Sequence, residues 1–198
     1  MAQKVDHEVR RREISQCAMH LFSEFGYENV SLIRIADEAG IARTIIYRYF
    51  RSKREVMDAA ILFVTSEVER RCSEIMLSRE SALDRLERVC AAVAEEMFEH
   101  QEFVIAIFDF VSGLVRSGTD MTSGVGDFTA GTRNAIKRLL KHASRCGEIS
   151  SELDVNAIAD AIYAGFEACT VRLVLRSETS ADAAKLRFSQ IIRALRRS

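Results

Sequence analysis

No proline occurs in this 198-residue chain, and only 9 glycines do. Proline and glycine are the residues that punctuate a chain into tight turns, and sheets need many of them. A sequence with so few can turn only rarely, so it should form long helices joined by short loops. The expected fold class is all-α. Apolar residues make up 48% and charged residues 29%, an ordinary globular balance with enough apolar material for a core. No apolar run is long enough to span a bilayer, and the first residues lack the apolar segment of a signal peptide. The chain reads as cytoplasmic, with no membrane partner.

Residues Ser31 to Met57, SLIRIADEAGIARTIIYRYFRSKREVM, carry the densest local signals. Ser31 can cap a short helix whose apolar residues Leu32, Ile35, Ala36 and Ala39 recur at helical spacing. Gly40 follows the last of these, where a left-handed C-terminal turn needs no Cβ. Ile41 to Phe50 then predicts a second short helix, and Ser52-Lys53-Arg54-Glu55 matches a capping box that starts a third. Two short helices around a glycine turn make a helix-turn-helix. Its second helix is expected to carry Arg43 and Thr44 in the first turn, the part that meets base edges in a major groove. Tyr47, Arg48, Tyr49, Arg51, Lys53 and Arg54 follow, cations and phenols of the kind a phosphate backbone accepts.

With Ile35-Ala36, Ala39-Gly40-Ile41, Tyr47-Arg48-Tyr49-Phe50 and Ser52-Lys53, the stretch resembles the DNA-binding signature of the TetR family. The preceding Leu21-Phe22-Ser23-Glu24-Phe25-Gly26-Tyr27 is similar to the end of that family's first helix. The likeness is dense over residues 10–57. It implies an N-terminal three-helix DNA-binding domain, 1–54, and a helical effector-binding and dimerisation domain, 55–198. It also implies phosphate contacts from Tyr47, Tyr49 and Lys53, with Ser31 contributing from the first helix. Two positions depart from the family pattern. Ile33 stands where a basic residue is common, and Ala42 where Ser or Thr usually caps the recognition helix, so the operator sequence is not transferable.

Charge and cysteine usage fit this organisation. Residues 1–54 carry 10 Lys and Arg against 7 Asp and Glu, and residues 55–198 carry 18 against 22. A +3 head on a −4 body suits contact with DNA at one end. Arg10, Arg11 and Arg12 read either as a solvated cluster or as phosphate contacts. The five cysteines are odd in number and show no CxxC pair or nearby histidine at metal-ligand spacing, so no metal site or cofactor is expected. No catalytic triad, dinucleotide motif or phosphate loop occurs, which argues against an enzyme.

In chain order, residues 1–6 read as a tail, and a helix from His7 presents Ile14, Ala18, Leu21, Phe22 and Phe25 on one face. Helices follow over about 55–78, 83–100, 103–115, 127–146, 154–175 and from Ser180, with a Gly/Ser/Thr-rich loop at 117–126. Phe103 to Val115 is apolar nearly all round, which predicts burial on most sides. Asp109 inside it then needs a buried partner, or lines a cavity.

The reading these features support is a ligand-responsive repressor that binds a palindromic operator as a homodimer. Arg43 would take a guanine edge, Thr44 a base or phosphate, and Ile45 either thymine methyl groups or a second core contact. Tyr47, Arg48, Tyr49 and Lys53 would grip the backbone. A small hydrophobic effector would be lined by Phe63, Cys90, Val93, Met97, Phe103, Ile107, Phe108, Asp109, Phe128 and Arg133. The last two helices would pair with their twins through Ile162, Gly165, Phe166, Cys169, Leu173, Leu186, Ile192 and Leu195. The competing readings are a redox-sensing regulator, with Cys72 or Cys146 beside arginines, and a DNA-binding protein without an effector.

Overall fold

The computed structural model describes residues 2–118, 123–177 and 180–197. These form eight α-helices: α1 (Ala2–Phe25), α2 (Leu32–Glu38), α3 (Lys53–Met76), α4 (Ala82–Glu99), α5 (Gln101–Arg116), α6 (Ser123–Arg145), α7 (Val155–Val174) and α8 (Ala181–Leu195). A 3₁₀ turn at Ile46–Arg48 lies between α2 and α3, and no strand occurs among the described residues. The chain divides into two compact units, residues 1–66 with 102–126, and residues 67–101 with 127–198.

The first unit packs around α1. Ile14, Ala18, Leu21 and Phe22 recur at helical spacing on its buried face. Against them lie Ile35 and Ala36 from α2, Ile46 and Phe50 from the turn, Val56, Met57, Ala60 and Ile61 from α3, and Phe103, Ala106 and Phe110 from α5. Full burial of a side chain such as Phe22 contributes about 1.5–3 kcal/mol. Tyr27 sits between Phe22 and Phe110, with ring centroids at 5.5 and 4.5 Å.

Several expectations change here. The helix expected from His7 begins at Ala2, so residues 2–6 are helical rather than a tail. The helix expected over Ile41–Phe50 is not an α-helix. Ile45 N–H donates to the Ala42 carbonyl, Arg48 to Ile45 and Tyr49 to Ile46, the i→i+3 bonds of a tighter winding. Thr44, Ile45 and Ile46 are β-branched and Tyr47 and Tyr49 aromatic, residues that lose χ1 freedom in an α-helix. Ala42 offers no side-chain cap. In α5, the buried residues Phe103, Ala106 and Phe110 fall on one stripe, while Phe108 and Asp109 are exposed. Asp109 is therefore solvated and needs no buried partner. The loop expected over 117–126 is shorter, because α6 already starts at Ser123; residues 119–122 lie outside the described residues.

The second unit is a bundle of the end of α3 with α4, α6, α7 and α8, and α4 packs along α8. Its helix ends follow local chemistry. Ser81 caps α4 by accepting from Asp84 N–H at 3.1 Å, and the Glu148 carboxylate accepts from Ala82 and Leu83 N–H, both at 2.9 Å. These bonds satisfy amides that a helix start leaves open. Asp154 and Ser180 cap α7 and α8, and Gly147 ends α6 at φ +73°. Arg71 of α3 bridges Glu96 at 2.6 Å and Glu95 at 2.8 Å, and Lys185 of α8 reaches Glu95 at 3.2 Å. Glu96 is buried, so these ion pairs hold a charge that water cannot reach.

Candidate nucleic-acid interface

The helix-turn-helix is assembled by local rules. Ser31 Oγ accepts from Arg34 N–H at 3.2 Å, leaving its hydroxyl proton available to an outside acceptor. Gly40 adopts φ +63°, and Ile41 N–H closes back onto the Ala36 carbonyl at 3.0 Å. A side chain at position 40 would be strained in that conformation. The chain then turns through Ala42–Ile45 into the 3₁₀ segment. Ile46 and Phe50 point inward with no exposed surface. Arg43, Thr44, Tyr47 and Arg48 are exposed, Tyr47 at 57%. Ile45 is half-buried, so only part of it is open to a partner.

Other cations are already engaged. Arg43 makes a bidentate pair with Asp37, Nε to Oδ1 at 3.2 Å and Nη2 to Oδ2 at 3.0 Å. Lys53 Nζ donates to the Tyr27 carbonyl at 2.8 Å and the Glu28 carbonyl at 3.3 Å, 4.2 Å from the Tyr27 ring centroid. It therefore pins the loop after α1 to the start of α3, with the Glu28 carboxylate 4.0 Å from the ammonium. Tyr49 is half-buried and stacks on His7 at 4.7 Å.

Contacts that the sequence reading did not assign set this frame, and Arg11, read there as solvated or phosphate-bound, is at their centre. Arg11 donates to the Tyr49 carbonyl at 2.7 Å and to Glu55 at 3.0 Å, with its guanidinium 4.4 Å from the Phe50 ring centroid. Glu55 accepts in turn from Arg51 N–H at 2.8 Å, and its own N–H donates to Ser52 Oγ at 3.2 Å, a capping box whose carboxylate reaches one residue further back than the cap. The Arg51 amide and then the Arg11 guanidinium hold the Glu55 carboxyl below the usual range. Arg34 lies 3.6 Å from the Phe25 ring centroid. For Arg11 the sequence signal was present, a cation one helical turn before Ser15 and Ile14 on the inner side of α1; its partner 44 residues away was not.

The ten expected effector contacts do not converge. Cys90 and Val93 are buried in the core of the second unit, with Met97 packed against it. Phe103 and Ile107 belong to the core of the first unit. Phe108 and Asp109 face solvent. Arg133 is exposed, 3.6 Å from Asp160 and 4.6 Å from the Tyr163 ring centroid. Phe63 lines an open 880 Å³ groove between α1 and α3 in the first unit. Phe128 lines a 450 Å³ cavity in the second unit, with Val68, Cys72 and Met76 of α3, Val89 of α4 and Ala135 of α6. Glu69, Ser73, Thr132 and Arg138 supply its polar edge. The missed residues Val68, Cys72 and Met76 repeat every four positions along α3, a periodicity legible beforehand. Burial pushes the Cys72 thiol up to about 11 and the Cys90 thiol higher still, which works against a reactive thiolate at either. Cys146 is exposed, its sulfur 3.7 Å from His142 Nε2.

Of the expected dimer contacts, Ile162, Phe166, Cys169, Leu173 and Ile192 are buried within the second unit's own core. Gly165 packs against the Phe188 ring, Leu195 is half-buried, and Leu186 is 60% exposed. Buried side chains cannot also meet a second copy. The open face of α7 lies one register over, at Ala157, Ala161, Ala164, Ala168, Val171 and the capping Leu175, with Leu186 and Ile191 open on α8.

A capped helix, a glycine turn and an exposed cationic segment on a helical body define a helix-turn-helix protein. Comparison with known proteins narrows this. Residues 14–60 match the family model described as bacterial regulatory proteins, tetR family. The HTH-type transcriptional regulator PksA of Bacillus subtilis is 25% identical over 168 residues, 83% of this chain and 78% of that protein. Among solved structures, a TetR-family regulator from Rhodococcus sp. superposes with a TM-score of 0.76 at 22% identity, covering 94% of this chain and 98% of that one. The regulator FadR of B. subtilis, solved in complex with stearoyl-CoA, superposes with a TM-score of 0.73 at 19% identity, covering 92% and 96%. The chain carries the DNA-binding region of the TetR family over residues 14–60, and the relatives it resembles along its length are transcriptional regulators. No described helix is long and apolar enough to cross a membrane.

Proposed function

We propose that this protein is a repressor that binds a palindromic operator as a homodimer and is released by a small hydrophobic effector. The observation that carries the DNA-binding half is the exposed row Arg43, Thr44, Tyr47 and Arg48, held outward because Ile46 and Phe50 are anchored in the core. Arg43 is the base reader in this proposal. Thr44, Tyr47 and Arg48 take phosphates or base edges, Ser31 donates from α2, and Ile45 offers its open part to a thymine methyl. Tyr49 and Lys53 act mainly by fixing the reader, since both are committed to contacts within the unit.

The effector half rests on the 450 Å³ cavity. Its apolar lining suits a hydrophobic ligand, with Arg138 able to hold an acidic end. The α3 residues that line it belong to the same 24-residue helix whose first residue, Lys53, pins the reader's frame. A ligand that prefers one placement of that helix would shift the population of readers away from the 34–36 Å spacing of adjacent major grooves. The FadR structure with stearoyl-CoA supports a ligand that carries an apolar chain in a body of this fold.

For the dimer, Ala157, Ala161, Ala164, Ala168, Val171 and Leu175 repeat at alternating intervals of four and three, the spacing of a helix-pairing seam. Their small side chains allow close approach to a second copy.

DNA fragments selected by the protein, titrated with wild type and variants, test the proposal. Arg43→Ala should relax preference at one base pair by about 1–3 kcal/mol. Arg48→Ala should weaken binding to all sequences and flatten the salt slope by about one. Wild-type binding by both variants would sink the interface assignment. Ala164→Glu should yield a monomer by light scattering; an unchanged mass would place the dimer seam elsewhere.

A further inference from the structure

We infer that Asp37 is a positioning residue for base recognition: its carboxylate holds Arg43 in an orientation that leaves the end edge of the guanidinium open to read a guanine. The inference rests on the proposed role of Arg43 at the DNA.

The pair has a specific geometry. Asp37 takes the side edge of the guanidinium, Nε at 3.2 Å and Nη2 at 3.0 Å. An arginine carries five N–H donors, and this contact uses two. The end edge, formed by Nη1 and the second proton of Nη2, stays open as two parallel donors. That fork matches O6 and N7 of guanine. A guanidinium fixed by its side edge reaches the groove with its end edge forward and with fewer rotamers to lose, so less of the contact is spent on ordering it.

Stability does not account for the pair. Both side chains are more than half exposed, at 65% and 51%, where an ion pair contributes little. Asp37 also stands in the last turn of α2, two residues before its C-cap Ala39. A carboxylate there faces the negative end of the helix, the less favourable of the two ends for an acid. What the carboxylate does provide is a fixed partner reaching six residues along the chain, across the Gly40 turn, onto the residue proposed to read DNA. A negative charge beside the guanidinium also repels backbone phosphates. Arg43 is thereby discouraged from settling on the backbone, where it would carry no sequence information.

The experiment measures binding of wild type, Asp37→Ala, Asp37→Asn, Arg43→Ala and the Asp37→Ala/Arg43→Ala double variant by fluorescence anisotropy at fixed salt. The DNA is a duplex selected by wild type from a random pool, with each base pair of one half-site replaced in turn. Asp37→Ala should lose about tenfold discrimination at the same base pair where Arg43→Ala loses it, and at no other. It should also bind unrelated DNA more tightly than wild type, because a negative charge has gone. In the Arg43→Ala background, removing Asp37 should change discrimination nowhere. Asp37→Asn, nearly the same shape, guards against a folding defect and should fall between wild type and Asp37→Ala. An equal loss at every position, or full discrimination in Asp37→Ala while Arg43→Ala is impaired, would overturn the inference and leave Arg43 as the reader. If Arg43→Ala itself discriminates like wild type, the underlying role of Arg43 fails and the inference falls with it.

Discussion

Replacing Gly165 by alanine sets two well-characterised effects against each other. Gly165 lies in the interior of α7, where alanine is favoured over glycine by about 1 kcal/mol. On propensity alone, Gly165→Ala stabilises. The packing says otherwise. A Cβ at position 165 would lie 2.7 Å from Cε1 and 3.1 Å from Cζ of Phe188. The Phe188 ring is 2% exposed and packed on Phe166 with centroids 4.5 Å apart, so it has little room to swing aside. Forcing an extra methyl into such a site costs about 1–3 kcal/mol. The clash should win, leaving the variant about 1 kcal/mol less stable, a fall in melting temperature of about 2–4 °C for a chain of this length. Urea unfolding followed by circular dichroism, repeated at several protein concentrations to separate any dimer contribution, measures it. Phe188→Leu removes the ring edge that clashes. In the double variant Gly165→Ala/Phe188→Leu the alanine should therefore recover its helix advantage, giving a coupling of at least about 1 kcal/mol. If Gly165→Ala alone raised the urea midpoint, α7 and α8 would not pack at this point as described, and the burial of Phe188 against the α7 backbone would be wrong.

Three further outcomes follow from the same structure. Arg71→Met should destabilise by about 1–3 kcal/mol in urea unfolding, because the buried Glu96 loses its nearest cation and keeps only His100, 3.7 Å away; adding Glu96→Gln should recover much of that loss. Contacts with Arg71 for Glu95, with the Arg51 amide for Glu55, and with Ser81 and Arg196 for Asp84 hold these carboxyls below their ordinary values. Their stabilisation is present above the ordinary carboxyl range and is lost as pH falls from about 4.5 through the depressed native values. Urea midpoints should accordingly drop below about pH 4.5, and less so in Glu95→Gln; a flat profile would contradict the ion pairs. Iodoacetamide at neutral pH should label exposed Cys146 first, Cys72 slowly and Cys90 last, since burial raises the latter two thiols. Rapid loss of DNA binding through Cys72 under mild peroxide would refute that order and revive a redox reading.

Much of the fold was legible because helix ends obey local rules. Ser31, Ser52, Asp154 and Ser180 each meet the backbone within three residues, and Gly40 and Gly147 take the left-handed angle their positions required. The boundaries of α3, α4 and α7 could therefore be read to within about two residues. The segment 41–50 was not, because periodicity reports which side chains turn inward and not how tightly the backbone winds. Ile46 and Phe50 are inward in either winding. Periodicity is equally silent on which element a buried face meets. Phe103 and Ile107 were rightly apolar, yet they pack in the first unit's core, since nothing local specifies their neighbours. The same blindness put the expected dimer contacts of α7 on residues that the chain's own core buries. That helix carries a bulky stripe, Ile162, Phe166, Cys169 and Leu173, beside a small one from Ala157 to Leu175. The bulky stripe fills the space next to α8, where side-chain volume is needed. The small stripe is left open, where a second helix could approach closely.

The candidate interface teaches a related point about charge. Counting cations over 43–54 suggests a broad phosphate grip, but a cation contributes to counterion release only if DNA is its better partner. Lys53 is held by two carbonyls and an aromatic face, Arg43 by a carboxylate, and Arg11 by a carbonyl, a carboxylate and the Phe50 ring. Each of these contacts pairs residues between 6 and 44 positions apart, which no short motif encodes. The exposed Arg48 and Arg51 are left to neutralise phosphates without first giving up an ion pair. The salt dependence of operator binding should therefore be shallower than the cation count implies. Specificity should depend more on how firmly Arg11, Asp37 and Lys53 hold the reader than on how many positive charges surround it.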